Sequence, residues 1–328
     1  MSRCRSFVLA ALGLSIILIQ PPTVVAGPPV YLTQWGSLGT GNGQFDQPAG
    51  VAVDASGNVY VADQRNHRIQ KFTSVGAYLG QWGTAGSGNG QFNFPFGVGV
   101  DASGDVYIAD NGNSRIQRFS SSGAYLGQWG SIGSGNGQFL GTLGVAADAS
   151  GNIYATDSNN RRVQQFTSAG MYITQWGSLG TGNGQFDEPA GVAVGADGNV
   201  YVTDTGNGSR IEVFTSAGVY VTQWGTDGSG DGQFHHPFGV AVDASGDVYV
   251  TDFGNGRGQV FTSAGVYLTQ WGTGGSGDGQ FISPTGIAVD ASGNIYVADT
   301  GNNRIQKFQS TTTPTKSSSW GRLKGLYR

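Results

Sequence analysis

The chain has 328 residues, 58 of them glycine and only 12% charged, with a formal net charge of −4. So much glycine with so little charge fits many short strands and turns and excludes a helix-rich chain. The negative balance argues against a nucleic-acid partner, whose phosphates need a basic face.

Residues 1–26 are expected to form a secretory signal peptide. Arg3 and Arg5 give a basic start, Phe7 to Ile19 is an uncharged apolar run, and Val24-Val25-Ala26 offers small residues before a cut ahead of Gly27. A retained anchor is the alternative, but the run is short for a hydrocarbon core of ~30 Å. The expected location is therefore secreted, periplasmic or at the cell surface. Loss of Arg3 and Arg5 takes the charge from −4 to −6, and loss of Cys4 removes the one cysteine. The mature chain would then have no disulfide, no cysteine metal ligand and no cysteine nucleophile.

Next comes Val30 to Gly36, V-Y-L-T-Q-W-G, which reads as an outer strand with no inner strands before it. The Q-W-G tryptophans then recur at Trp35, Trp82, Trp129, Trp176, Trp224 and Trp271, spaced by 47, 47, 47, 48 and 47 residues. A fixed period of this size means one structural unit repeated. Each unit carries three short β-rich runs separated by Gly, Asn, Asp and Ser, such as Gly286–Asp290, Asn294–Asp299 and Arg304–Phe308. With the Q-W-G strand as a fourth, the unit is a four-stranded antiparallel sheet. Six such units begin at Gly50, Gly97, Gly144, Gly191, Gly239 and Gly286.

The unit G-V-A-V-D, then V-A-D, then N-x-R-I-Q-x-F, clearest at Asn66-His67-Arg68-Ile69-Gln70-Lys71-Phe72, resembles the NHL repeat family. The resemblance runs from Tyr31 to Phe308 and implies a six-bladed β-propeller used mostly for binding, with some enzymatic relatives. The expected fold is thus all-β, six blades of four antiparallel strands at residues 27–308. The sixth unit lacks a fourth strand, and Val30–Trp35 is expected to supply it and close the ring, which removes exposed sheet edges. Ser319-Trp320-Gly321 is a fainter rival for that position.

The D-A-S-G-[ND] and T-S-x-G turns should share one face of the ring. The long W-G-x-x-G-x-G-[ND]-G-Q-F loops and the V-A-D-x-x-N-x-R turns should share the other, which is the expected functional face. The periodic tryptophans are expected to pack between blades.

The pair of Asp63 and Arg68 recurs as Asp110 with Arg115, Asp157 with Arg162, Asp204 with Arg210, Asp252 with Arg257 and Asp299 with Arg304. One residue is inserted between the partners in blade four, in Thr205–Ser209. Repetition in every blade favours a structural pairing of carboxylate and guanidinium; a ring of six arginines at the mouth, suited to an anion or sugar, is the functional alternative. His67, His235 and His236 are the three histidines. Adjacent side chains on an extended segment point apart, so no metal site is expected from them. Glycine-rich loops without G-K-[ST], turns without calcium-loop oxygens and the lack of G-x-S-x-G leave no cofactor and no catalytic residue singled out. Glu188 and Glu212 supplement the aspartates without marking a site.

Specificity should lie where the repeats disagree. Those positions are Phe94, Phe96, His235, His236, Phe238 and Phe253, with Arg65 and Arg161 as charges beyond the repeat. Blades two and five stand opposite in a ring of six, so the phenylalanines suit a surface for a protein, peptide or glycan; alternatively each plugs its own seam between blades. The tail, 309–328, is a Ser/Thr-rich linker followed by a basic end, either a sorting signal or a frayed terminus. Together these point to an exported, monomeric binding scaffold rather than an enzyme. A lyase or lactonase with a metal at the channel mouth is the alternative.

Overall fold

A computed structural model describes residues 27–206 and 208–311. The expected leader, the Ser319-Trp320-Gly321 rival strand and the basic end of the tail lie outside the described residues. Among the described residues the chain forms six four-stranded antiparallel sheets. In the first blade the strands are Pro48–Val53, Val59–Asp63, Arg68–Phe72 and Tyr78–Trp82, ordered from the channel outward. The sixth sheet is completed by Val30–Trp35, which pairs antiparallel with Arg304–Gln309, placing Tyr31 opposite Phe308 and Trp35 opposite Ile305. The ring is therefore closed by the N-terminal strand, with a bulge between Tyr31 and Thr33.

The second and third strands are buried along nearly all their length because each blade packs on a neighbour on both faces. Six equivalent clusters fill the seams. In one, Phe45, Val59, Val61 and Phe72 of blade one pack on Tyr296, Ala298 and Ile305 of blade six, with Trp35 against them. Trp35 lies 5.9 Å from Phe72 and 6.3 Å from Tyr296, tying adjacent blades across the widening gap.

The channel is narrow because the inner strands approach backbone to backbone. A Cβ on Gly50 would sit 2.3 Å from the Phe96 carbonyl of the next blade, and one on Gly239 would sit 2.2 Å from that of Thr285. Any side chain there would push blades apart. The inner strand bulges at this glycine, since Pro48 pairs with Asp63 but the next pair is Val51 with Val61.

The two turn sets fall on opposite faces as the antiparallel order requires. On one, the Tyr60 hydroxyl donates to Asp54 of its own D-A-S-G-N turn, and Lys71 donates to the Ser121 carbonyl in the next blade's outer turn. The other face carries the long loops and a short 3₁₀ turn after the aspartate, Gln64–Asn66 in blade one. This face holds the candidate site.

Candidate functional site

The long loops are fixed from beneath by the repeated Asp–Arg pairs. Asp63 is fully buried and Arg68 is 7% exposed, with the Arg68 Nε donating to the Asp63 carboxylate at 2.7 Å. The remaining guanidinium protons go to the carbonyls of Thr40, Gly41 and Gln44 and to the Gln81 amide oxygen. Gln70 adds a second clamp, accepting from the Gly43 amide and donating to the Gln44 carbonyl and Asp63.

The same clamp is built in four further blades. Arg115 holds Asp110, Arg162 holds Asp157, Arg257 holds Asp252 and Arg304 holds Asp299, with Nε–carboxylate distances of 2.6 to 2.8 Å. Arg162 also donates to the carbonyls of Ser134, Gly135 and Gln138 of its loop. Arg257 donates to those of Gly230 and Gln233 and to the Gln270 amide oxygen. These bonds are those expected of a structural pairing of carboxylate and guanidinium. Arg68, Arg115, Arg162, Arg210, Arg257 and Arg304 are all buried, and in five of the six blades the Nε is held by the clamp aspartate.

Blade four departs from the common pattern. Glu212 stands where the other blades have glutamine. Arg210 reaches Glu212 at 2.7 Å and Asp204 at 3.3 Å, both through Nη2, and its Nε is left without a partner. Burial pushes the Glu212 carboxyl up to about 7, against the opposing pull of Arg210 and the Gly184 amide. Burial also raises Asp204, although the Glu188 and Asp187 amides and Arg210 oppose it.

The candidate specificity residues resolve into separate groups. Phe96 of blade two and Phe238 of blade five stack across the axis with ring centroids 5.3 Å apart and planes at 29°. Phe253 extends this line, 6.2 Å from Phe238. The two rings cover the channel mouth together with Leu143, so they plug the channel and not their own seams. Below them a cavity of 170 Å³ is lined only by Val, Ala, Gly and Ile. These walls carry no imidazole, carboxylate, thiolate or amide side chain. They do not fit a metal ion. Among the described residues no group of three His, Cys, Asp or Glu is placed to hold a metal.

Phe94 is 44% exposed and packs on His67 of blade one at 4.8 Å, its amide donating to the His67 Nδ1 at 3.1 Å. His235 and His236 do not point apart, contrary to the sequence expectation. Their rings are 4.6 Å apart, because His236 takes a left-handed backbone with φ 56° and the segment is not extended there. His236 Nδ1 donates to the Thr205 carbonyl at 2.9 Å, and His235 Nδ1 lies 3.1 Å from Asp227. Both imidazoles, with Phe253, Asn255, Ile282 and Ser283, line a pocket of 480 Å³ between blades five and six. Gly256 and Gly274 also line it, and it exists where other blades carry side chains such as Asn303 and Leu38.

Arg65 is exposed on the blade-one turn, and Arg161 bonds the carbonyl of Asn159 in blade three. Among the described residues neither stacks on the aromatic groups. Sequence reasoning passes over Leu38, Ile132 and Leu179, which stand 65%, 72% and 65% exposed at one equivalent position on the long loops. Alignment of the repeats by their tryptophans would find them.

The NHL repeat model matches residues 45–72, 92–119, 143–166, 186–214, 234–261 and 281–308, one segment in each blade. This chain belongs to the NHL repeat family. Among curated relatives it is 47% identical over 47 residues to the B-box type zinc finger protein ncl-1 of Caenorhabditis elegans, covering 14% of this chain and 6% of that protein. The chain thus matches only a small part of that relative's length. In fold, this NHL propeller is similar to a structural genomics protein of unknown function from Bacteroides thetaiotaomicron (TM-score 0.67, 19% identity, 85% of this chain and 76% of that one). It is also similar to a gluconolactonase from Xanthomonas campestris (TM-score 0.62, 16% identity, 89% and 99% covered). At such identities the likeness concerns the propeller fold alone.

Proposed function

We propose that this NHL propeller is an exported binding scaffold that takes a protein, peptide or glycan ligand on its long-loop face. The observation that carries the reading is the line of Phe96, Phe238 and Phe253 across a closed, apolar channel mouth. Aromatic rings that are only partly buried at the centre of a rigid face supply contact area with little loss of side-chain freedom. The exposed Phe94, Leu38, Ile132 and Leu179 widen the apolar surface, and the His235–His236 pocket gives it a polar recess. The six clamped loops pre-organise the surface, so little ordering remains to be done on binding. Export rests on the leader-like residues 1–26.

The test is to screen purified protein lacking residues 1–26 against extracellular peptides and glycans, then map amide protection by each hit. Protection confined to the loop face around Phe94, Phe238 and His235 supports the reading. Protection at the D-A-S-G-N turns, or along the outer strands, overturns it.

A further inference from the structure

In five blades a glutamine completes the clamp beneath the long loop: Gln70, Gln117, Gln164, Gln259 and Gln306. Each Nε2 donates to two oxygens, a loop carbonyl and the clamp aspartate. Glu212 occupies that place in blade four, fully buried. It keeps the acceptor half of the job, since its Oε2 takes the Gly184 amide at 2.7 Å as Gln70 takes that of Gly43. An ionised glutamate has no proton to give. The oxygens that would receive one are the Gln185 carbonyl and Asp204 Oδ2.

The consequences are visible around it. Asp204 Oδ2, Arg210 Nε and Gln223 Oε1 are all buried without a hydrogen-bond partner, whereas the matching Asp63, Arg68 and Gln81 atoms of blade one are all bonded. Arg210 has left the Nε–carboxylate geometry found in the other blades to lie between two carboxylates. The charged and titratable groups facing Glu212 are Arg210 on its own strand, Asp204 on the next strand inward, Asp187 on the long loop behind Asp204, and Tyr220 on the outer strand.

We propose that Glu212 is a proton-operated switch in the blade-four clamp. With a proton it imitates the glutamine of the other blades, donates toward Asp204, and lets Arg210 Nε return to that carboxylate. Without the proton it draws Arg210 away and loosens the clamp. No bond other than the O–H forms or breaks, and the proton comes from water. Asp204 also holds the Asp187 and Glu188 amides, the Glu188 carbonyl holds Thr205, and the Thr205 carbonyl holds His236. The switch therefore lies one chain of hydrogen bonds from the candidate binding pocket.

The experiment compares wild-type protein with Glu212→Gln. The urea midpoint of the wild type should fall between pH 5 and pH 8, and that fall should be markedly smaller in Glu212→Gln. The ¹³C carboxyl shift of Glu212 should show one titration step near neutrality. The His236 ring proton should shift at that same midpoint in the wild type, and that step should be absent in Glu212→Gln. Parallel midpoints in both proteins, or a Glu212 carboxyl that titrates in the ordinary glutamate range, would overturn the switch. A level His236 response with a titrating Glu212 would confine the effect to stability and refute the link to the pocket. None of these readouts requires the ligand, so the outcome is separable from that of the proposed function.

Discussion

The ring of Trp271 occupies the space that a side chain at Gly258 would fill. A Cβ on Gly258 would stand 2.4 Å from two ring carbons of Trp271. In the other seams the tryptophan lies against the T-S-x-G glycine of the next blade, as Trp35 does against Gly76. Blade six takes its outer strand from the N-terminus and so has no such turn beside Trp271. The tryptophan turns inward instead, and residue 258, isoleucine or valine in the other repeats, is glycine to admit it.

Gly258→Ile restores the repeat residue and should nonetheless destabilise the protein. Overpacking of this kind typically costs ~1–3 kcal/mol, and here the displaced indole has no glycine to rest on. Urea unfolding with tryptophan fluorescence checks both parts. A lower midpoint with a red-shifted native spectrum is expected; an unchanged midpoint would show that Trp271 is free to swing out.

Arg115→Ala should cost about 3–5 kcal/mol, because it leaves the buried Asp110 uncompensated and frees the loop carbonyls it holds. Arg162→Ala and Arg257→Ala should behave alike, since each would strand a buried aspartate in the same way. Thermal unfolding measures the loss. Arg65→Ala, on the exposed blade-one turn, should leave the melting temperature within error.

Removing residues 27–36 deletes the strand that pairs with Arg304–Gln309 and exposes an edge. A sharply lower melting temperature, with self-association at raised concentration, is the expected outcome in calorimetry and light scattering. A chain that melts as before would mean that closure by this strand contributes nothing.

The Glu212 carboxyl lies at about 7 in the folded protein, above its ordinary 4.5. The folded state then binds more protons than the unfolded state between those values, so stability falls as pH rises. The contribution is complete below about 4.5 and lost as pH passes through about 7. At ~1.36 kcal/mol per unit the loss is roughly 3 kcal/mol, read from urea midpoints across the range. Asp204 is shifted in the same direction and reinforces the slope.

The architecture is legible because the repeat fixes it. Six tryptophans at one spacing and an orphan outer strand are enough to set blade number, strand order and closure. The site is less legible because it depends on distances across the ring. That Phe96 and Phe238 meet depends on how closely the inner-strand glycines bring the blades together, which the pattern of residues does not convey. An extended segment would hold His235 and His236 apart, and a left-handed residue at His236 reverses that. The repeated arginines pose the opposite problem. Their spacing from the aspartates is plain, but only the structure shows that Arg162 and Arg257 are buried and bonded to loop carbonyls. Glu212 is visible as a lone glutamate among glutamines, but its meaning needs its burial and the bonds its neighbours have lost.

The central claim, that the aromatic cover over the channel is a binding surface, is tested most directly with Phe96→Ala and Phe238→Ala. Each variant is measured for urea midpoint and for affinity toward whichever peptide or glycan the wild type retains. A central interface aromatic typically contributes ~2 kcal/mol or more to binding, whereas loss of a core phenylalanine costs ~3 kcal/mol of stability. The account predicts affinity lowered about thirtyfold or more at a midpoint close to wild type. Unchanged affinity, or a loss of binding that only follows a loss of folding in both variants, would contradict it.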